Sequence, residues 1–396
     1  MLGALGVLAF VIGLLGSVML HEGGHFLTAR RFGMKATQFF VGFGPTLWST
    51  RRGETEYGVK AIPAGGFVKI VGMTPLEEVE PGDEERAFYR QPAGRKTIVL
   101  AAGSTVHFVL CLLLVAFAVA VFGVQRETSP TLTAINACVA DDPDATCGPG
   151  SVPAPAKTAG LQAGDVVTAV DGVDVKGSSD LVTRVKAHIG QQVRLTVLRK
   201  GQVVVVPVTP KPVTRPGTTA PVGAIGVSVL ANYEYQHFGP VGVVRETGAT
   251  VKQLVTGTVE TLTNKLGTIS KVYGPDRDPA GFVGVVGVGR ISGEIAQAKI
   301  SLTDKLNSIV LVLAGLNLFV GVFNLLPLLP LDGGHIAVVW FETVRDRLRR
   351  LRGYTGELQR VDMNKLMPVT LAVVVLFIGF TLFLLGADIV NPITIN

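Results

Sequence analysis

The sequence predicts a polytopic α-helical membrane protein with four transmembrane helices, a membrane-associated β-hairpin region and an extracytoplasmic α+β module. The chain has 396 residues, of which 48% are hydrophobic and only 17% are charged, an apolar excess typical of membrane proteins. Several apolar runs are long enough to cross a bilayer. The net charge of +6 comes from basic residues that lie beside these runs, where they set membrane orientation, so we expect no nucleic-acid partner.

The first predicted span covers residues 1–20, which carry no charge. This stretch has neither the basic start nor the small-residue cleavage site of a signal peptide, so we expect a retained helix. Arg30 and Arg31 follow it and mark its cytoplasmic end by the positive-inside rule.

The first span runs directly into the motif His21-Glu22-Gly23-Gly24-His25. Two histidines four residues apart lie on one face of a helix, close enough to bind one metal ion. Glu22 stands where a carboxylate can take a proton from water activated at that metal. Ionisable groups are costly in an apolar run, so the pattern favours a metal site over two surface histidines.

Residues 36–72 change character to short β-type runs with a turn at Arg51-Arg52-Gly53-Glu54. We predict hairpins that follow the metal-site helix and form a re-entrant β-loop. An edge strand of this loop can pair with the backbone of an extended substrate. A simple cytoplasmic loop is the alternative.

The second predicted span covers about 97–124 and is interrupted by Gly103, Ser104 and His107. His107 is a third metal ligand, a proton relay or a histidine hydrogen-bonded between helices, and we favour the last of these. Cys111 in the same helix is expected to be inert packing.

The segment from about 125 to 300 has the composition of a soluble region. If the chain leaves the cytoplasm after the second span, Cys138 and Cys147 face an oxidising compartment, and we expect them to form a disulfide rather than remain free thiols. Short strands, one helix near 178–188 and a turn at Lys200-Gly201 describe a small β-rich module. Residues 240–273 then show the periodicity of an amphipathic helix, packed on the membrane surface or on the module.

The third predicted span, about 306–331, ends in a run in which Pro327 and Pro330 break the helix before Asp332. A metal bound by only two histidines needs a third protein ligand, and an aspartate at the end of a broken helix can supply it. The arginine-rich loop at about 342–366 places this end in the cytoplasm, on the same membrane face as the first motif. A fourth span, about 367–388, returns outward.

A catalytic zinc takes three protein ligands and keeps one position open for water. His21 and His25 supply two of these ligands. We predict Asp332 as the third, with His335 as the runner-up. Glu22 is then the general base, and afterwards the proton donor to the leaving amine.

Two resemblances support this interpretation. The pattern around Ala159-Gly160-Leu161-Gln162-Ala163-Gly164-Asp165 resembles a PDZ domain, a module that takes a peptide as an added strand or acts as a steric gate. The histidine motif, this insert and Asn324-Leu325-Leu326-Pro327 with the later Asp332-Gly333-Gly334 together resemble the site-2 protease family over nearly the whole chain. The closest likeness is to bacterial members with four spans.

The resemblance implies zinc as cofactor, His21, His25 and Asp332 as its ligands, and Glu22 as the catalytic carboxylate. It also implies that Asn324 binds the substrate backbone. The predicted domains are the first half of the membrane core at 1–124, the PDZ-like domain at 125–215, an amphipathic helical and linker region at 216–305, and the second half of the core at 306–396.

The family also implies glycines in the membrane β-loop, which Gly42 and Gly44 match. Its substrates are single-span membrane proteins, such as anti-sigma factors, cut within the bilayer after a first extracytoplasmic cut. We therefore expect a multi-pass protein of the cell membrane. Its termini and PDZ-like domain are predicted to be extracytoplasmic and its active site to lie near the cytoplasmic face.

One departure concerns the second span, where the family usually carries Gly-Pro-x-x-Asn and this chain has Gly103-Ser104-Thr105-Val106-His107. Two other functions compete with proteolysis. A catalytically silent receptor would bind peptides through the PDZ-like module, but the intact Glu22 argues against it. A metal transporter would need ligands along a path through several helices, and the sequence shows one cluster.

Overall fold

The computed structural model describes residues 2–73, 79–139, 147, 151–214, 220–275, 277–278, 281–356 and 360–393. The chain divides into two compact units. Residues 1–122 and 238–396 form what we call the membrane unit, and residues 123–237 form what we call the β-rich unit. Each is described by itself below.

The helices in chain order are α1 (Leu2–Arg31), α2 (Ala93–Val121), α3 (Pro155–Thr158), α4 (Ser178–Ala187), α5 (Pro240–Asn264), α6 (Val285–Gln297), α7 (Leu302–Asn324), α8 (Asp332–Leu351) and α9 (Met363–Val390). The strands are β1 (Ala36–Arg52), β2 (Thr55–Ile70), β3 (Val124–Ile135), β4 (Cys138–Val139), β5 (Val152–Pro153), β6 (Val166–Val170), β7 (Val173–Asp174), β8 (Val193–Arg199), β9 (Gln202–Val208), β10 (Lys211–Val213), β11 (Val222–Ala224) and β12 (Val227–Gln236).

Four helices among the described residues are long and apolar enough to cross a membrane, namely α1, α2, α7 and the Asn364–Val390 part of α9. This agrees with the predicted polytopic membrane protein. The helices approach closely at glycines, as membrane helices commonly do. A methyl group at Gly24 of α1 would lie 2.8 Å from the carbonyl oxygen of Ala102 in α2. One at Gly321 of α7 would lie 2.9 Å from the ring of Phe108 in α2.

The β-loop is a long hairpin of β1 and β2. Each residue from 38 to 41 is registered with two residues of β2, one within 56–59 and one within 66–69. The hairpin therefore folds back on itself, with 66–70 at its edge. Gly42, with φ of +85°, lies in the bulged part, where a side chain would also meet the Ile62 carbonyl oxygen at 2.7 Å. Trp48 and Leu47 are 60% and 69% exposed, which suits a membrane-associated hairpin.

One hydrophobic core joins the hairpin to the ends of three helices. Buried side chains from α1, both hairpin strands, α2 and α8 pack together in it: Phe26, Ala29, Met34, Ala36, Ile70, Phe88, Val99, Leu100 and Val339. Outside this core, Arg86 donates two hydrogen bonds of 2.7 Å to the carboxylate of Glu54 at the hairpin turn. Arg86 also donates a hydrogen bond of 3.1 Å to the Gly33 carbonyl oxygen, so it links the hairpin turn to the residues that follow α1.

The β-rich unit is built on a sheet with strand order β12-β3-β6-β8-β9, with β7 paired to β6. Its core is formed by inward-facing Val and Leu residues of the strands together with Leu181 and Val185 of α4.

Cys138 and Cys147 are joined by a disulfide. The carboxylate of Asp165, 1% exposed, accepts two hydrogen bonds of 2.7 Å from Arg199. These bonds hold the pKa of the Asp165 carboxyl below its ordinary value.

The sequence predicts a helical and linker region over 216–305, whereas β12 in the structure lies within it. Val227 pairs with Ile135 and Gln236 with Val124, so β12 returns to the first strand of the unit. The segment before β12 is rich in Pro, Thr and Gly, and such turn residues predict the end of a domain. The long-range pairing with β3 makes 227–236 part of the sheet, which a local pattern does not show.

Two helices of the membrane unit follow the β-rich unit. The predicted amphipathic helix is α5, and α6 packs against the first half of α1, where Gly6 and Ser292 approach closely. Asp388 of α9, which is buried, binds Arg277 at 2.8 Å and accepts a hydrogen bond of 2.9 Å from the Gly287 backbone N–H. This ion pair fixes the start of α6 to the end of α9.

Candidate active site

The two histidines of the motif lie one turn apart on the buried face of α1, because residues at i and i+4 share a helix face. The Nδ1 of His25 contacts the carbonyl oxygen of Val99 at 2.7 Å, so Nδ1–H is the donor and Nε2 carries the lone pair. The Nε2 atoms of His21 and His25 lie 3.1 Å apart. Both imidazoles therefore present ring nitrogens to one point.

Asp332 reaches the same point from the first residue of α8. Its Oδ2 lies 3.5 Å from Nε2 of His21 and 3.4 Å from Nε2 of His25. The chain arrives there because α7 ends at Asn324 and a tight turn leads into α8. Gly333 and Gly334 permit this turn, since a Cβ on either would overlap the backbone of Leu325 or Leu328.

The three side chains fit a zinc ion. One ligand atom from each of His21, His25 and Asp332 lies within 4.8 Å of the others. Asp332 Oδ2, which faces both Nε2 atoms, is buried without a hydrogen-bond partner among the described residues, an arrangement that is costly unless something else binds there. Two imidazoles and one carboxylate are a donor set of catalytic zinc sites, which keep a further position open.

Gly103 of α2 forms the wall behind the histidines. A methyl group at this position would overlap the imidazoles of both His21 and His25. The interruption that the sequence shows in the second span is therefore a place where the imidazoles of His21 and His25 lie directly against a helix backbone.

His107 lies next to the ligands, with its ring centroid 5.0 Å from that of His21. Its Nδ1 is 2.8 Å from Oδ1 of Asn317 in α7. The Asn317 amide nitrogen donates to the Ser17 hydroxyl at 3.1 Å and to the Leu313 carbonyl oxygen at 2.8 Å. The amide orientation makes His107 Nδ1–H the donor, and the structure thus shows the interhelical hydrogen bond among the alternatives for His107.

Glu22 is held by the hairpin. The backbone N–H of Val68 donates a hydrogen bond of 3.1 Å to Glu22 Oε2. Val68 belongs to the edge segment 66–70 of β2, so the carboxylate beside the metal ligands is attached to an edge of the sheet.

The other predicted site residues are Asn324, Gly42, Gly44 and the runner-up ligand His335. Asn324 is the last residue of α7, is partly exposed, and makes no side-chain hydrogen bond with the described part of the chain. Gly44, like Gly42, has a positive φ, here +82°. His335 lies one turn after Asp332 and lines a cavity of about 360 Å³ with Leu100, Glu342 and others. It does not belong to the cluster of possible ligands.

Three site features are missing from the sequence predictions. These are the Val68 N–H, the Asn317 amide and the Ser17 hydroxyl. The signal for Asn317 was an amide in the middle of the apolar part of α7, which by default indicates a functional or interhelical role. No local pattern distinguishes the Val68 N–H, because the register of the folded hairpin decides which amides face α1.

The membrane helices enclose a buried cluster of two histidines and one aspartate, and a glutamate lies beside it. This fold and this site together define a class of protein, the metal-dependent hydrolases of the membrane. The chain belongs to peptidase family M50, whose model matches residues 9–359. Zinc metalloprotease Rip1 of Mycobacterium tuberculosis strain H37Rv is 40% identical over 414 residues, which cover 98% of each chain. Rip1 of Mycolicibacterium smegmatis is 38% identical over 413 residues, with 100% of each chain covered.

The family confirms the predictions of a site-2 type protease, of an enzyme and of zinc as its cofactor. The protein is a zinc metalloprotease of the membrane.

Proposed function

We propose that this protein is an intramembrane endopeptidase that cuts transmembrane segments of single-span proteins, such as anti-sigma factors, after a first extracytoplasmic cut. One observation carries the proposal. His21, His25 and Asp332 converge between helices that are apolar enough to span a bilayer, and Glu22 lies beside them. Peptide hydrolysis at such a site takes place at membrane depth.

The roles of the side chains follow from their positions. His21, His25 and Asp332 hold the zinc ion, which when bound polarises a peptide carbonyl and makes water more acidic. Glu22 takes the proton from the attacking water and then delivers it to the leaving amine. The Val68 N–H holds Oε2, which leaves Oε1 of Glu22 to exchange the proton.

We propose that the edge of β2 holds the substrate. A transmembrane helix hides its peptide bonds in its own hydrogen bonds, so the scissile bond must become extended before it reacts. Segment 66–70 pairs with β1 on one side, and no further strand pairs with its other side in the described part of the chain. Because the Val68 N–H points to Glu22, a strand added at this edge would pass the carboxylate. We propose that Asn324, whose amide has no partner among the described residues, binds the backbone of that strand.

The proposed membrane orientation rests on charge. Arg30 and Arg31 end α1, and Arg349 and Arg350 end α8. Both ends belong in the cytoplasm by the positive-inside rule, which puts the metal site near the cytoplasmic face. The β-rich unit is then extracytoplasmic, where its disulfide is stable. As a PDZ-like module, it would bind a peptide or exclude substrates that still carry a large outer domain.

The test compares membranes of cells that express the wild type with membranes that express Glu22→Gln. We expect single-span proteins to persist in the variant as fragments that lack their outer domain and retain their span. Glu56→Gln, in the hairpin away from the metal ligands, is the matched control and should leave these fragments at the wild-type level. Identical fragments in all three membranes would contradict the proposal.

A further inference from the structure

Helix α8 carries an exposed apolar stripe whose purpose the metal site does not explain. Its second half exposes five large hydrophobic side chains: Trp340, Phe341, Val344, Leu348 and Leu351. Phe341 and Leu351 are 60% and 77% exposed. At 3.6 residues per turn the five side chains share one face about 100° wide. The opposite face packs inward, through Val339 and the partly buried Glu342.

Arginines border this stripe on both sides. On the same helical projection Arg347 follows one edge of the stripe and Arg352 follows the other. Both are exposed, and neither forms an ion pair in the part of the chain that the structure describes. The acidic residues of this half are engaged elsewhere. Glu342 lies 3.9 Å from Lys96, and Asp346 binds Arg345 at 2.8 Å.

The stripe lies at the boundary of the apolar helices. Glu342 is level with Lys96, near the start of α2, and Val339 packs in the core that contains the last turns of α1. The guanidinium of Arg95 lies over the ring of Phe32, just beyond α1, which puts several cations at this level. A helix with an apolar stripe, bordering arginines and this position matches the interface between lipid headgroups and acyl chains.

We propose that the second half of α8 is a docking surface for anionic phospholipids of the membrane. The apolar stripe enters the acyl-chain boundary, and Arg347 and Arg352 bind the phosphate groups of anionic headgroups. Guanidinium groups bind phosphate in a fixed, often bidentate geometry, and an anionic surface attracts them further. A soluble protein partner is the alternative occupant, and absence of quenching by either lipid in the experiment below would reveal it.

The docking surface and the proposed metal ligand Asp332 lie on the same helix. Asp332 is the first residue of α8, and the stripe occupies the second half of the same 20-residue helix. Lipid bound there restrains the axis along which the Asp332 carboxylate is presented to the histidines. The proposal does not depend on proteolysis, and its test has a different readout.

Fluorescence of Trp340 tests the proposal in the full-length protein. The chain has two tryptophans, so Trp48→Phe leaves Trp340 as the sole reporter. The protein is placed in nanodiscs of about 70% phosphatidylcholine and 30% phosphatidylglycerol, a composition within the anionic range that attracts basic segments. Bromine atoms, which quench tryptophan, are carried either by the phosphatidylglycerol or by an equal mole fraction of phosphatidylcholine.

We expect stronger quenching by brominated phosphatidylglycerol. A fivefold preference over phosphatidylcholine, roughly the size for one arginine at an anionic surface, would raise the local phosphatidylglycerol fraction from about 30% to about 70%. Arg347→Gln with Arg352→Gln should remove the difference but keep Trp340 quenched by both lipids. Arg347→Lys with Arg352→Lys should keep most of the difference. Arg51→Gln with Arg52→Gln removes the same charge from the exposed hairpin turn and should change nothing.

Three results would overturn the proposal. Equal quenching by the two brominated lipids would show no preference for anionic headgroups. A preference that survives Arg347→Gln with Arg352→Gln would assign it to other residues. Absence of quenching by either lipid would show that protein or water covers the stripe.

Discussion

The backbone N–H of Val68 donates a hydrogen bond of 3.1 Å to the carboxylate of Glu22, which connects the edge of the membrane hairpin to the helix that carries His21 and His25. The two groups are 46 residues apart in the chain. One short segment of β2 therefore serves two purposes in this account: it orients the general base and offers an edge to the substrate.

Removing this hydrogen bond should slow catalysis. Val68→Pro deletes the N–H that faces Glu22, and we expect cleavage of a model transmembrane substrate to slow by about tenfold or more. Val68→Ala keeps the N–H and should stay within about threefold of the wild type. Equal rates for both variants, measured in detergent micelles at equal zinc content, would show that the contact has no catalytic role.

The close approach of α2 to the ligands predicts a zinc defect in Gly103→Ala. The added methyl group overlaps both imidazoles, so His21 and His25 must move, and we expect zinc affinity to fall by about 10-fold to 100-fold. Gly94→Ala adds the same group to the same helix, where nothing lies within 4 Å. Competition with a chelator measures both affinities. Equal affinities would mean that α2 does not confine the ligands.

The hydrogen bond between His107 and Asn317 should stabilise the packing of α2 on α7. His107→Ala leaves the Asn317 carbonyl oxygen buried and unpaired, and we expect it to lower the free energy of unfolding by about 1–3 kcal/mol. The double variant with Asn317→Ala should lose less than the sum of the two single variants, by about 0.5 kcal/mol or more. Thermal unfolding in detergent measures the stability of the wild type, both single variants and the double variant. Strictly additive losses of stability would contradict a direct interaction between the two side chains.

The β-rich unit should lose stability at acid pH through Asp165. Because Arg199 lowers the pKa of this carboxyl in the folded unit, its contribution is fully present above the ordinary pKa of about 3.9. It is lost as the pH falls through the lower, folded-state pKa. The protection of β6 and β8 against hydrogen exchange, measured relative to the intrinsic exchange rate at each pH, should therefore fall below about pH 4 in the wild type.

Asp165→Asn is the control for the acid effect. It should destabilise the unit by about 1.5–3 kcal/mol at neutral pH, since it removes a buried charged acceptor. It should also flatten the acid dependence of exchange. A variant that keeps the wild-type acid profile would assign that profile to other carboxylates.

The sequence predicts the site residues whose positions depend on a single helix, either within it or at its end. The spacing of His21 and His25 sets their common face, and the break before Asp332 marks where an aspartate is available to a metal. Asn317 and Val68 were not accessible in the same way. Their partners, His107 and Glu22, lie 210 and 46 residues away, and only the packing of α7 and the register of the hairpin bring them together.

The fold, like the site, has elements that the sequence predicts and elements that only the structure shows. Apolar runs long enough to span a membrane predict α1, α2, α7 and α9, because the bilayer imposes their length and composition. Strand β12 escaped prediction because it pairs with β3, about 100 residues earlier, across a turn-rich segment. The exposed stripe of α8 is visible only when the inward face of that helix is known.

The central claim is that Asp332 completes a zinc site with His21 and His25, and metal analysis of purified Asp332→Asn tests it most directly. The wild type and Glu22→Gln should each carry about one zinc per chain. Asp332→Asn should lose its zinc on dialysis, with an affinity more than about 100-fold weaker, since even changes outside the ligand set cost up to that factor. An Asp332→Asn protein that is folded and retains one zinc at wild-type affinity would contradict the account.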